Sequence, residues 1–227
     1  MLAPGDYERG AALFEAGRYD DAIAALTPVA REHPLDAQVW KALGVAYAAQ
    51  RDYGRALEPL QRACRLDPKL ADACYFEGRA LYGLDRFEES LAVLQPLLAS
   101  DGSPWRVHLG LAQAAEALGR TGQAEPHFQA AVSLAPAGNP QPGVALAHFL
   151  LRTGRLERAG EVLRPLVEAH PDAPDAQLEW GRVLYQLGRV PEAVAHLEIA
   201  CRLAPANQQA RLLLDRAQRL QASRMVK

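Results

Sequence analysis

Three cysteines, five serines, three threonines and two asparagines among 227 residues leave little side-chain chemistry to work with. Cys64, Cys74 and Cys201 form an odd and sparse set, which argues against a disulfide framework, and no metal-ligand spacing surrounds them. Cys64 and Cys201 stand in the matching strings ACRLDP and ACRLAP and are read as small buried hydrophobes. No GxSxG, HExxH, Walker loop or glycine-rich dinucleotide loop occurs, and none of the six histidines pairs with a second His or Cys one helical turn away. No catalytic residue, metal or cofactor is therefore expected, and the chain is read as a non-enzyme. Long hydrophobic runs are also missing: no stretch reaches 18 apolar residues, and MLAPGDYERG is not a charged-then-apolar leader. Membrane insertion is not expected, and the reading is a cytoplasmic protein, or a periplasmic one if a leader has been removed. Lys and Arg are spread along the chain against a formal net charge of -2, so no basic stripe invites nucleic acid.

Against these absences stands one strong regularity. Proline closes a unit of about 34 residues at Pro34, Pro68, Pro136, Pro171 and Pro205, with Gly102 in the remaining slot. Counting back from each closing residue tests that register. Twelve places before stand Ala22, Ala56, Ser90, Ala124, Ala159 and Ala193; eight before, Leu26, Leu60, Leu94, Phe128, Leu163 and Leu197. Twenty-four places before, the residue is always small: Gly10, Gly44, Gly78, Ala112, Ala147 and Gly181. Gly17, Gln50, Asp85, Gly119, Gly154 and Gly188, mostly glycine followed by arginine, mark the turn between two helices. Small residues at two fixed places let the helices of a hairpin approach closely, and the large apolar residue is expected to fill the space between that hairpin and the next. Acid pairs such as Asp20 and Asp21, or Glu88 and Glu89, suit the start of a second helix rather than a catalytic dyad. His33 and His170, each just before a closing proline, read as boundary residues.

This order of small, aromatic or aliphatic, small, large apolar and proline resembles the tetratricopeptide repeat. Residues 37–70 match it best, with Trp40, Leu43, Gly44, Tyr47, Ala56, Leu60, Ala63 and Pro68 in family places. The resemblance implies an all-α fold, a right-handed superhelix of six helix-turn-helix repeats at 3–36, 37–70, 71–104, 105–138, 140–173 and 174–207, forming one domain across 1–227. Residues 208–220, QQARLLLDRAQRL, place Leu213, Leu214, Ala217 and Leu220 at helical spacing and read as a capping helix. At the other end Arg9 replaces the apolar residue of later repeats, and Asp6 suits a helix N-cap, so a self-sufficient domain is expected.

In this family the first helices line the concave face of the superhelix through the second, fifth, ninth and twelfth places of each repeat. Carried onto this chain, those places supply the candidate peptide- or partner-binding residues Tyr7, Phe14, Lys41, Tyr75, Arg79, Tyr82, Arg106, Gln113, His148, Arg182 and Tyr185. Ala11, Val45, Asp72, Leu109 and Leu178 occupy further places of the same set. Aromatic faces beside guanidinium groups suit an extended or helical peptide. A blander reading has the aromatics packing on adjacent first helices, with Arg79 paired to Asp72 and Arg182 to Asp175. Asn139 and Asn207, both in turns, are the two asparagines of the chain, so a chaperone-type clamp for a C-terminal carboxylate is not expected. The resemblance thus implies a non-catalytic adaptor with a protein or peptide partner in the groove; the alternative is an assembly module that forms homo-oligomers or docks through its convex face or ends.

A slower period overlies the first. LTPVA, LQPLL and LRPLV place Pro28, Pro96 and Pro165 within the second helices of repeats one, three and five, so these are expected to bend or shorten while those of even repeats stay straighter.

Overall fold

The computed structural model of the chain describes residues 6–99 and 104–225. The closing slot at Gly102 and the capping side chain of Asp6 lie outside that description. Among the described residues thirteen α-helices follow one another and no strand occurs. They are α1 Asp6–Glu15, α2 Tyr19–Glu32, α3 Ala37–Ala49, α4 Tyr53–Leu66, α5 Ala71–Gly83, α6 Phe87–Leu94, α7 Pro104–Ala117, α8 Thr121–Leu134, α9 Gln141–Arg152, α10 Leu156–Ala169, α11 Pro174–Gln186, α12 Val190–Leu203 and α13 Gln208–Met225. A 3-10 turn, Gln95–Ala99, follows α6. The chain divides into two compact units, Met1–His127 and Phe128–Lys227, with the division inside α8.

In the first three hairpins a glycine meets a leucine where the two helices cross. A Cβ on Gly44 would lie 2.5 Å from Leu60 Cγ, and one on Gly78 would lie 2.6 Å from Leu94 Cγ, so any side chain there would push the helices apart. The large residue, expected between hairpins, therefore first fills the crossing of its own two helices. It then reaches the next hairpin as well: Leu94 packs with Cys74 of α5 and with Val107 and Leu111 of α7. Full burial of such a leucine contributes about 2 kcal/mol. Ser90 holds the small slot of the third hairpin by donating its hydroxyl to the Gly78 carbonyl at 2.8 Å, which satisfies a buried polar group.

The joint between α4 and α5 is covalent. Cys64 and Cys74 form a disulfide across a Cα separation of 5.0 Å, while Cys201 remains a free thiol. This corrects two expectations, that the cysteines form no disulfide and that Cys64 is a simple buried hydrophobe. The turn at residues 67–70 folds the chain back so that side chains ten residues apart meet, a proximity that counting cysteines does not disclose.

The second unit repeats the hairpin logic with its own side chains. Phe128 and Phe149 are buried with ring centroids 5.0 Å apart, and a Cβ on Gly181 would lie 2.7 Å from Leu197 Cγ. Ala210 and Ala217 of α13 are fully buried with Leu197 and Ala200 of α12, and Leu213 and Leu214 pack beside them.

Turns and boundaries carry the rest of the pattern. Gly17, Gly119, Gly154 and Gly188 adopt φ of 73, 71, 75 and 75°, the left-handed region where glycine lacks the Cβ penalty. In the second hairpin the left-handed residue is Arg51, at φ 60°, one place after the Gln50 expected; Asp85 serves the third at φ 59°. The arginines that follow the turns, Arg18, Arg86 and Arg189, form exposed ion pairs with Asp21, Glu89 and Glu192 three residues on. At the repeat boundaries Trp40 Nε1 donates to the Pro34 carbonyl at 3.1 Å and Gln177 Nε2 to the Pro171 carbonyl at 2.9 Å. His33 and His170 close α2 and α10, their amides donating to Val29 and Leu166 carbonyls.

The proline alternation is not what the sequence led us to expect. α2 and α10 run unbroken through Pro28 and Pro165, as α4 and α8 do through Pro59 and Pro126. In the third hairpin alone α-helix gives way to a 3-10 turn around Pro96, whose missing amide leaves the preceding turn without its bond. A packed helix tolerates one lost hydrogen bond, so among the three odd repeats only the third has its second helix shortened at its proline. No helix among the described residues is long and apolar enough to cross a membrane.

Candidate partner-binding surface

In the first unit a cavity of about 350 Å³ opens among α1, α3 and α5, lined by Tyr7, Ala11, Phe14, Glu15, Leu26, Lys41, Ala42, Val45, Asp72 and Phe76. Tyr7, Phe14 and Lys41 of the expected set come together here. Ala42 and Phe76 stand in the sixth place of their repeats, which the family rule omits; one helical turn of drift brings that place beside the second and ninth. Phe14 is braced by Tyr19, with ring centroids 5.4 Å apart. Burial, then Asp36 and Glu8, raise the Tyr7 phenol above its ordinary value, so it is a neutral donor. The result is an apolar floor edged by one ammonium and two carboxylates, suited to a bulky apolar side chain.

Further along the same unit, Tyr75, Arg79, Tyr82 and Gln113 form a connected set. Arg79 Nη1 donates to Gln113 Oε1 at 2.6 Å, linking α5 to α7, and its guanidinium carbon lies 5.7 Å from the Tyr82 ring centroid. Gln113, rather than Asp72, is thus the partner of Arg79. Tyr82 also meets Phe87 at 5.4 Å between centroids. Tyr75 is half-buried, its ring 5.4 Å from that of Phe76; burial raises its phenol most, while Arg79 and Arg106 pull the other way. Arg106 itself is exposed, 5.5 Å from the Trp105 centroid. Two expected groove places face inward instead: Leu109 and Leu178 are buried.

A histidine pair escaped sequence reasoning. His108 of α7 and His127 of α8 meet Nδ1 to Nδ1 at 2.9 Å, so one ring donates and the other accepts. Burial lowers both below the ordinary histidine value, and His108 lowers His127 further. Gln177 and His196 occupy the same two repeat places, with His196 Nδ1 donating to Gln177 Oε1 at 2.7 Å. The recurrence marks a polar tie across a hairpin, and its signal in the sequence is the shared spacing of 19 residues.

In the second unit a cleft of about 350 Å³ lies between α11 and α13, lined by Arg182, Tyr185, Gln186, Gln209, Leu212, Leu213 and Arg216. Arg182 and Tyr185 were expected in the set. The α13 residues were not, yet Gln209, Leu212 and Arg216 fill the second, fifth and ninth places of a seventh first helix counted from Gln208. Arg182 Nε lies 3.5 Å from Glu179 Oε2, so its partner is Glu179 and not Asp175. That oxygen makes no hydrogen bond, and burial raises the Glu179 carboxyl despite the nearby Arg182. His148 of α9 is half-buried; burial, then Arg182 and Arg152, lower it, so it is neutral at neutral pH. The lining of this cleft carries two guanidinium groups and no carboxylate.

A family model described as tetratricopeptide repeat matches residues 7–71, 75–139 and 144–208. Among relatives, anaphase-promoting complex subunit 3 of Schizosaccharomyces pombe is 27% identical over 128 residues, which is 56% of this chain and 19% of that protein. Among solved structures, PilW, a widely conserved type IV pilus biogenesis factor, superposes with a TM-score of 0.80 at 19% identity, covering 92% of this chain and 96% of that one. YrrB, a TPR protein with an unusual peptide-binding site, gives 0.57 at 21% identity, covering 82% and 95%. The chain spans between 4% and 19% of the length of the curated relatives it matches.

Proposed function

Because the chain belongs to the tetratricopeptide repeat family, we propose that it is a non-catalytic scaffold that holds a peptide segment or partner protein along the face of its first helices. The observation that carries this reading is the cavity among α1, α3 and α5, where Tyr7, Phe14, Val45 and Phe76 form an apolar floor with Lys41 and Asp72 at its edge. Such a floor takes a bulky apolar anchor, the kind of side chain that dominates binding energy at interfaces. The cleft between α11 and α13 takes a different chemistry: Arg182 and Arg216 suit an acidic side chain, with Leu212, 54% exposed, beside them. The peptide-binding site named for YrrB supports the reading by analogy of fold.

The test is a panel of labelled peptides that vary one bulky apolar and one acidic position, titrated by fluorescence anisotropy. Peptides with an apolar anchor are expected to lose affinity on Val45→Glu, and acidic ones on Arg182→Ala with Arg216→Ala, at unchanged helicity. Binding that survives all three substitutions would overturn the reading. Self-association is the competing reading, favoured by Leu35, 81% exposed between α2 and α3. Sedimentation across a concentration series decides for it if mass grows with concentration and Leu35→Ser abolishes the growth.

A further inference from the structure

We infer that Cys64 and Cys74 are an oxidation site, installed by thiol–disulfide exchange in a compartment that oxidises protein thiols, and that the bond staples the second hairpin to the third. The inference is independent of what the first helices bind. It departs from the cytoplasmic placement expected above, because disulfides persist where glutathione and thioredoxin do not keep thiols reduced.

An internal control lies in the repeat itself. Cys64 and Cys201 occupy the same place near the ends of α4 and α12, in the matching strings ACRLDP and ACRLAP. Ten residues after Cys64 comes Cys74, in the fourth place of the next first helix, and the two are bonded. Ten residues after Cys201 comes Arg211, in the fourth place of α13, and that cysteine is free. The repeat places therefore recur and the bond does not, and the residue in the fourth place is what differs in the sequence. Arg211 lies near enough to Cys201 to favour its thiolate, against the larger opposing effect of burial.

The bond also sits where it matters mechanically. Cys74 is buried among Leu94, Leu97, Val107 and Leu111, and its neighbours on α5 include Asp72 and Phe76, which line the α1–α3–α5 cavity. Holding α5 to α4 holds those two side chains in place.

The thiolate of Cys64, the more exposed of the two, attacks a disulfide of the oxidant, expelling one oxidant thiolate and leaving a mixed disulfide. Cys74, as thiolate, then attacks the Cys64 sulfur and expels the second oxidant thiolate. The chain gives up two electrons and two protons, and the oxidant leaves as a dithiol.

The test uses the chain as its native host makes it. Cells are quenched in acid, free thiols are blocked with a maleimide under denaturing conditions, and the remainder is reduced and labelled with a second reagent before peptide mass spectrometry. Cys201 should carry the first label, and Cys64 and Cys74 the second. First-label modification of Cys64 and Cys74 would overturn the oxidation site. For the staple, the purified oxidised protein should lose about 5 °C of its unfolding midpoint on reduction, a difference that disappears in Cys64→Ser with Cys74→Ser and persists in Cys201→Ser. Equal midpoints for oxidised and reduced protein would overturn it.

Discussion

The two units fill the same repeat places with different chemistry. In the first, the fifth and ninth places of α1 and α3 hold Tyr7, Ala11, Lys41 and Val45, and the cavity they line has an apolar floor. In the second, the ninth places of α11 and α13 hold Arg182 and Arg216, and the cleft is cationic. The joints differ in the same manner, since the fourth place after one cysteine is Cys74 and after the other is Arg211. The hairpin core, by contrast, is held constant: Gly44 with Leu60 and Gly181 with Leu197 make the same crossing. A repeat separates these tasks because buried places must match volume, while places facing outward can vary at little cost to folding.

The largest expected effect tests the constant part. Leu60→Ala and Leu197→Ala should each cost about 2–5 kcal/mol, since both remove a fully buried side chain from the same crossing. Denaturant unfolding reads this, and a small cost at one site would break the equivalence of the two cores.

The next effect concerns the joints. Arg211→Cys transplants the α5 arrangement to α13, and a bond to Cys201 under oxidising conditions should stabilise that joint by about 2–3 kcal/mol, the chain-entropy value for a loop this short. Oxidised and reduced forms compared by thermal unfolding check it; failure of the bond to form would show that the two joints differ in backbone as well as in sequence.

Binding effects come next. Val45→Glu should weaken an apolar-anchored peptide by about tenfold to a hundredfold, the cost of facing a carboxylate into an apolar floor, and leave an acidic peptide unchanged. Removal of Arg182 and Arg216 should reverse that pattern and flatten the salt dependence of acidic-peptide binding. Anisotropy titrations at two ionic strengths measure both.

The smallest effect is on protons. His148 is lowered by burial and by Arg182 and Arg152, so the folded chain binds fewer protons there than the unfolded chain. Its contribution to stability is therefore present above the unfolded value of about 6.5 and declines as pH falls through it, levelling off below the folded value. Arg182→Ala should raise the His148 titration midpoint in an NMR series and leave His108, in the other unit, where it was.

Much of the hairpin pattern was legible because close packing demands specific volumes at fixed intervals. The glycines and leucines that meet across each crossing could be read twenty-four and eight places before a closing residue without knowing a coordinate. The left-handed turn at Arg51 was placed one residue early, at Gln50, because no glycine marks this turn, whereas the count of seventeen residues back from Pro68 falls on Arg51 itself. Of the candidate surface, Tyr7, Phe14 and Lys41 were found by place, as were Arg182 and Tyr185. Phe76, Leu212 and Arg216 were missed because a rule of places assumes where each repeat's first helix faces and where the array ends.

The sequence by itself determined the helices and their pairing into hairpins, because these follow from short-range spacing and residue volume. Tertiary structure alone decided that Cys64 meets Cys74, that His108 meets His127, that Arg79 chooses Gln113, and that α13 adds its own side chains to a cleft. Each of these depends on where two helices bring their side chains in space, and a spacing along the chain specifies that position only after the helices have packed.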